Sequence, residues 1–287
     1  MAASHKPAAL LIKLFDKFLF LCLTYTDLSV YYAPVTADDK SSFATTPQTK
    51  VKKNNDMNTT IGILGTGRMA VRLARLFADS GNQVILGSRT PERAAHITRG
   101  LGAVSIEPGT YEQAADAPVV LPAMFLRDGM FETIEALRPK FDGKLWIDIT
   151  NPFNDRYDDF ILPWDTSGAE EIQKRFPRVR IVGAFKNVWW EVFDQPKFDG
   201  GFSDVYLVGD DAAAKKEFLQ LVHGSPFRYV DAGMLVNARF VERMTLFAAE
   251  LGQREGFFPR MNWRLLGEPW SVGKADRVGH LIKRELT

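Results

Sequence analysis

Ile61-Gly62-Ile63-Leu64-Gly65-Thr66-Gly67-Arg68-Met69-Ala70 decides the fold of this chain. A short apolar run passes into Gly-x-Gly-x-x-Ala. Val71, Ala74, Leu76 and Phe77 then recur at helical spacing as far as Ser80-Gly81-Asn82, and Val84-Ile85-Leu86 follows as a second apolar run. This is strand, turn, helix, strand, the context that makes a glycine pattern a dinucleotide fingerprint. Gly65 permits the tight turn off the strand. Gly67 removes a side chain where backbone must approach a diphosphate, and Ala70 lets the helix lie close to the strand. The helix N-terminus offers free N–H groups and partial positive charge to phosphate. Thr66, Arg68 and Met69 complete the cradle.

The tip of the second strand selects the dinucleotide. An NAD site places Asp or Glu there to accept from the ribose 2′-hydroxyl. Here the tip reads Gly87-Ser88-Arg89, followed by Thr90-Pro91-Glu92-Arg93. Arg89 can fork onto a 2′-phosphate, Ser88 can donate to it and Arg93 adds charge one helical turn on. The residues predict NADP(H) over NAD(H).

Working outward, strand–helix alternation continues. Pro118–Leu121 reads as a strand ending in Pro122-Ala123-Met124, and Met130–Leu137 as a helix. Leu145–Asp148 is a strand ending in Ile149-Thr150-Asn151-Pro152, and Val179–Ala184 is another. Repeated βα units predict an α/β, Rossmann-type, doubly wound parallel sheet with its ligands at the strands' carboxyl ends. A smaller C-terminal α/β portion ends in a long helix from Leu235 to Arg254. The expected division is 1–56 as an extension, 57–183 as the NADP-binding domain and 184–287 as a substrate and dimerisation portion. Pro122, Ala123, Met124, Asn151 and Ala184 are expected to touch the cofactor. Pro152, Phe185, Lys186, Asn187 and Trp189 are expected to line a substrate cleft, with Lys186 and Asn151 orienting the substrate. Trp189-Trp190 and Phe193 read equally as an aromatic platform or as core.

Composition sets the outer limits. The chain has 287 residues, 36 Lys+Arg against 35 Asp+Glu, and a net charge of +1. That balance excludes an obvious polyanion binder, so no nucleic-acid partner is expected. One cysteine, Cys22, and four scattered histidines offer no metal cluster. No nucleophile–base pair stands out. Asp210-Asp211 precede the apolar-periodic run Ala212–Val222 and read as a helix cap. His96 reads as a surface-helix residue and His223 as a helix end. Residues 1–56 carry an apolar stretch, Phe18–Leu23, and a Lys/Thr/Ser/Asn-rich end. A membrane span is opposed by Asp16, Lys17 and Asp27. A secretory signal ending near Val35-Thr36-Ala37 would export the chain. An extension ahead of a start at Met57 leaves the fold cytoplasmic, which is the favoured reading.

The landmarks together resemble the NADPH-dependent reductases of the deazaflavin coenzyme F420, over about residues 60–266. The shared stretches are Ile61–Gly67, Gly87-Ser88-Arg89, Asn151-Pro152, Val208-Gly209-Asp210-Asp211 and Asp231-Ala232-Gly233, then Leu235, Asn237, Arg239, Val241 and Glu242. The cytosolic domain of membrane ferric reductases is similar. The resemblance implies hydride transfer between NADP(H) and a planar acceptor such as F420 or a flavin-like compound, with F420 as co-substrate and a homodimer. The family commonly reads Lys-Ala-Phe-Asn-Thr, or a variant with Ala-Leu-His-Thr, after the strand ending at 183. This chain reads Gly183-Ala184-Phe185-Lys186-Asn187. The substrate therefore stays open between a planar acceptor and an imine or carbonyl compound, for which Lys186 is the one candidate proton donor. A non-catalytic NADP(H)-binding sensor is the alternative outside enzymes. Phe240, Met244, Phe247 and Leu251 form a helical stripe that reads as core or as a contact to a second subunit, joined by Trp263, Leu265, Leu266 and Trp270.

Overall fold

Each apolar run named above becomes a strand of one parallel sheet in the computed structural model, which describes residues 59–267. The strands are β1 (Thr60–Leu64), β2 (Gln83–Gly87), β3 (Ile106–Gly109), β4 (Val119–Pro122), β5 (Leu145–Asp148) and β6 (Arg180–Gly183). Their order is β3-β2-β1-β4-β5-β6 and every neighbouring pair is parallel. This is the doubly wound order whose two halves meet beside β1 and leave a crevice at the strands' carboxyl ends. The extension, Trp270 and the tail Ser271–Thr287 lie outside the described residues.

Helices cover both faces. α1 (Arg68–Asp79) buries Ala70, Leu73, Ala74, Leu76 and Phe77, a stripe at i, i+3, i+4 and i+7. α2 (Pro91–Leu101) starts with proline in its first turn and stops at Gly102 in the left-handed region. His96 is exposed on it. α3 (Tyr111–Asp116) opens with a capping box between Thr110 and Gln113. It lies so close to β1 that a Cβ on Gly62 would stand 1.7 Å from the Ala114 carbonyl oxygen. α4 (Met130–Ala136) and α5 (Gly168–Arg175) complete this part.

Beyond β6, α6 (Trp190–Asp194) leads to a two-stranded hairpin, β7 (Lys197–Phe198) and β8 (Gly201–Phe202). A parallel pair follows, β9 (Asp204–Leu207) and β10 (Arg228–Asp231), bridged by α7 (Ala212–Leu221). Asp211 caps α7, accepting from the N–H groups of Ala213 and Ala214 at 2.8 and 3.0 Å. Gly183 and Val208 exchange two backbone hydrogen bonds and tie β9 to the end of β6. The described residues fall within one compact unit.

The final helix, α8 (Ala238–Arg254), turns the opposite face from the expected core stripe toward the protein. Its buried residues are Ala238, Val241, Glu242, Thr245, Ala248, Ala249 and Gly252. Small side chains let the helix approach closely, and Phe240 and Phe247 are left 67% and 56% exposed. Phe247 stacks on Trp263 with centroids 5.9 Å apart.

Candidate functional site

Gly65 adopts φ +136°, and a Cβ there would meet the Ala123 carbonyl oxygen at 2.6 Å. The turn therefore needs glycine for conformation and for space. Gly67 is different. Its φ is −79°, and a Cβ there would meet nothing within 4 Å. Nothing in the fold requires glycine at this position, so the open space above it fits a ligand backed directly onto the chain. Gly67 caps α1 without a side-chain hydrogen bond, and the first turn carries no acid. The leading N–H groups and the helix dipole are thus available to an anion. These features fit the diphosphate of a dinucleotide, held by the backbone from Gly65 to Met69.

Gly67→Ala separates the two roles of glycine. The cap preference for glycine over alanine and the entropy lost by the unfolded chain oppose each other, so stability changes by no more than about 0.5 kcal/mol. NADPH affinity falls at least ~10-fold, equivalent to ~1.4 kcal/mol. Thermal melting and NADPH titration of the same variant check both halves.

At the β2 tip, Gly87 pairs in register with Gly109, and the Ser88 N–H donates to the Gly109 carbonyl at 3.0 Å. Arg89 and Tyr111, each two residues beyond its glycine, are neighbours. Burial raises the Tyr111 phenol above its usual pKa, and the Arg89 charge partly offsets that rise. Ser88 is buried, and its Oγ accepts from the Thr90 N–H at 3.1 Å. Its hydroxyl proton remains to be donated. Arg93 is engaged elsewhere than expected: Nε donates to Thr66 Oγ1 at 2.9 Å and Nη2 to the Thr66 carbonyl at 3.3 Å. It latches α2 to the glycine loop. Arg89 is exposed at the tip.

The ends of β1, β4, β5 and β6 converge. The Ala123 N–H donates to the Leu64 carbonyl at 2.8 Å, setting Pro122-Ala123-Met124 against the glycine turn. Asn151 Nδ2 donates to the Lys186 carbonyl at 2.7 Å, which fixes the amide and leaves Oδ1 buried without a protein partner. A buried free acceptor costs stability unless something donates to it. It stands at the strand end where a carboxamide N–H₂ would do so. Pro152 is buried beside it.

Three residues expected in the cleft point inward. Phe185 takes φ +55° and packs among Phe193, Phe218, Phe227 and Tyr229, with centroids 5.6 to 6.1 Å away. Asn187 is buried. Its Nδ2 donates to the Asp204 carbonyl and to Asn262 Oδ1, both at 2.8 Å, and its Oδ1 accepts from the Tyr206 N–H. Ala184 is wholly buried and reaches a ligand through backbone alone. Trp189 is 8% exposed, wedged between Phe153 and Phe258 with its Nε1 unpaired. Trp190 remains accessible.

Lys186 is 1% exposed. Its Nζ lies 2.6 Å from Asp148 Oδ2 and 2.8 Å from Glu242 Oε1, and donates to the Thr150 carbonyl at 2.5 Å. Glu242 reaches in from α8 and also accepts from the N–H groups of Gly168 and Ala169, at 2.9 and 3.3 Å. Burial alone works against the Lys186 ammonium, but the two carboxylates outweigh it and hold its pKa above the ordinary value. Burial raises Glu242 despite Lys186. Lys186 is therefore a structural cation beneath the site rather than a partner for an anionic substrate. A Cβ on Gly183 would stand 3.1 Å from Lys186 Cε. The cation rises from position 186 and fills space next to 183, where the family commonly carries lysine. Asp148 and Glu242, which sequence reasoning left out of the site, are its ligands. A glutamate on the small-residue face of α8 was the available signal.

Among the described residues no helix is long and apolar enough to cross a membrane, and no cluster of ligating side chains suits a metal ion.

Comparison with known proteins agrees with this geometry. Residues 60–152 match the family model described as NADP oxidoreductase, coenzyme F420-dependent. The F420-dependent NADP reductase of Methanothermobacter thermautotrophicus is 30% identical over 210 residues, covering 66% of this chain and 87% of that protein. Rat metalloreductase STEAP3 is 30% identical over 187 residues, 65% of this chain, but the chain spans only 36% of that protein's length. A crystal structure from Arthrobacter sp. FB24, provisionally named an F420-dependent NADP reductase, covers 73% of this chain and all of its own. Its TM-score is 0.63 at 24% identity, which shows the shared fold. The open glycine cradle, the acid-free strand tip and these similarities make this chain a member of the F420-dependent NADP reductase family, NADP-dependent oxidoreductases.

Proposed function

We propose that this chain transfers hydride between NADP(H) and a planar acceptor, a deazaflavin of the F420 type or a flavin-like compound. The observation that carries the reading is the acceptor-free chemistry of the crevice. Donors, glycine space and aromatic rings converge on it, and its buried ionic groups are engaged with one another. Bound NADPH supplies the hydride, becoming NADP⁺, and the acceptor takes that hydride with a proton from water. The residues contribute orientation and exclusion of water. Arg89 and Ser88 hold the 2′-phosphate, the 65–69 backbone holds the diphosphate, and Asn151 Oδ1 accepts from the carboxamide. Residues 57–183 carry the cofactor, and 184–287 complete the acceptor side and the dimer contact. Exposed Phe240 and Phe247 on α8, with Leu265 and Leu266 nearby in sequence, favour a homodimer through that face. A cytoplasmic setting fits a chain with the single cysteine Cys22.

An imine or carbonyl reductase needs a proton donor beside the nicotinamide. Lys186, the sequence candidate, is buried against Asp148 and Glu242, so this reading has less support. Anaerobic mixing with NADPH tests the proposal. Bleaching of oxidised F420 or of a flavin, with stoichiometric NADPH oxidation, is the expected result. NADPH oxidation by imines or carbonyls alone contradicts it, as does tight NADPH binding without turnover on any of them.

A further inference from the structure

A groove of about 640 Å³ opens beside the start of α1, lined by Arg68, Arg72, Trp190, Glu191, Pro259 and Arg260. Its size suits a small ligand. The Arg68 guanidinium lies 4.8 Å from the centre of the Trp190 ring, and that of Arg260 lies 4.5 Å from the centre of Phe198. Arg260 Nη2 donates to the Lys197 carbonyl at 3.0 Å. Among the described residues, neither Arg68 nor Arg260 has a carboxylate partner. Arg72 is the contrast, with Asp194 at 2.5 Å and Glu191 at 3.6 Å. Two guanidiniums held on aromatic rings, with their charge unneutralised, form a receptor for an oxyanion.

Sheet order identifies which anion. Arg89 and Arg93 follow β2, on one side of β1. Trp190 follows β6, on the other side beyond β4 and β5. The groove therefore lies away from the 2′-phosphate. An aromatic run joins it to the end of β5: Trp190 to Trp189 at 5.9 Å, and Trp189 to Phe153 at 6.0 Å. Phe153 follows Asn151-Pro152 directly.

We propose that this groove binds the phosphate ester on the side chain of the hydride acceptor, so that the acceptor is a phosphorylated planar heterocycle and Arg260 and Arg68 set that specificity. The inference rests on the hydride-transfer reading. Arg260 tests it, because it lies far from the glycine loop in sequence.

The experiment uses the full chain saturated with NADP⁺ for binding and with NADPH for turnover. Riboflavin 5′-phosphate and riboflavin share a ring system and differ in the phosphate. Fluorescence titration and steady-state reduction are measured for both, in the wild type, Arg260→Ala and Arg260→Lys. The wild type is expected to favour the phosphorylated compound roughly 10- to 100-fold in Kd and KM, the range for charge-assisted hydrogen bonds to phosphate. Arg260→Ala brings the ratio toward one, and Arg260→Lys retains part of it. Equal binding of the two compounds by the wild type overturns the proposal even if both are reduced, and hydride transfer then stands alone. Phosphate-selective binding without turnover upholds the groove and removes the hydride reading. If Arg260→Ala raises the KM for NADPH as much as that for the acceptor, the groove belongs to the cofactor's diphosphate and the proposal falls. Absence of binding by either compound also overturns it.

Discussion

Arg89→Ala raises the KM for NADPH by roughly 10- to 150-fold, about 1.5–3 kcal/mol, the range for hydrogen bonds to charged groups. The KM for NADH stays nearly unchanged. The asymmetry follows from the β2 tip. Arg93, the other cation in reach of it by sequence, spends Nε and Nη2 on Thr66. Ser88 is tied into the turn by accepting from Thr90. Arg89 is then the one guanidinium of the Ser88–Arg93 segment left to fork onto the 2′-phosphate. Its backbone is held by the Gly87–Gly109 register, and its side chain stands next to Tyr111. NADH presents a 2′-hydroxyl, which gains little from that fork. Steady-state kinetics with both cofactors read the effect, and equal losses for the two contradict the assignment.

Lys186→Met costs about 3–5 kcal/mol of folding stability, as expected when one partner of a buried ion pair is removed and uncompensated charge remains. Asp148 and Glu242 would then face each other with only backbone donors for relief. The pH dependence gives the sign. In the wild type the Lys186 pKa is raised, so its stabilising contribution is complete below the ordinary lysine value and is lost as pH rises through the folded value. Glu242 is also raised. Its protonated form favours the fold below the usual carboxylate range, and that contribution disappears as pH rises through its folded value. Without the cation that upward shift grows. The stability gap between variant and wild type is therefore smallest in acid and widens as pH rises through the carboxylate range. Denaturant melts across pH measure the gap, and a gap independent of pH contradicts the electrostatic account. Asn151 donates to the Lys186 carbonyl, so the same variant loosens the floor of the cofactor site.

Much of this was legible in the residues, because the signals were local. The glycine run sets β1, the turn and α1, and the apolar runs at 119–122, 145–148 and 180–183 set three more strands. Asp211 is a cap because its side chain reaches its own helix. Other features depended on the tertiary structure. β3 is Ile106-Glu107-Pro108-Gly109, whose proline and glycine read as a turn. It is a strand because an edge position tolerates proline. Phe185 enters the left-handed region without being glycine. After that turn both Phe185 and Lys186 are buried, and strand alternation gives no warning of it. On α8 the large Phe240 and Phe247 drew the eye, whereas close packing selected the face of alanines, threonine and glycine with Glu242 among them.

Calorimetric titration of the full chain with NADPH and with NADH tests the cofactor site most directly. The account predicts a clear heat of association with NADPH and a Kd at least ~10-fold weaker for NADH, a difference of ~1.4 kcal/mol. No heat with either cofactor, or equal affinity for both, would contradict it.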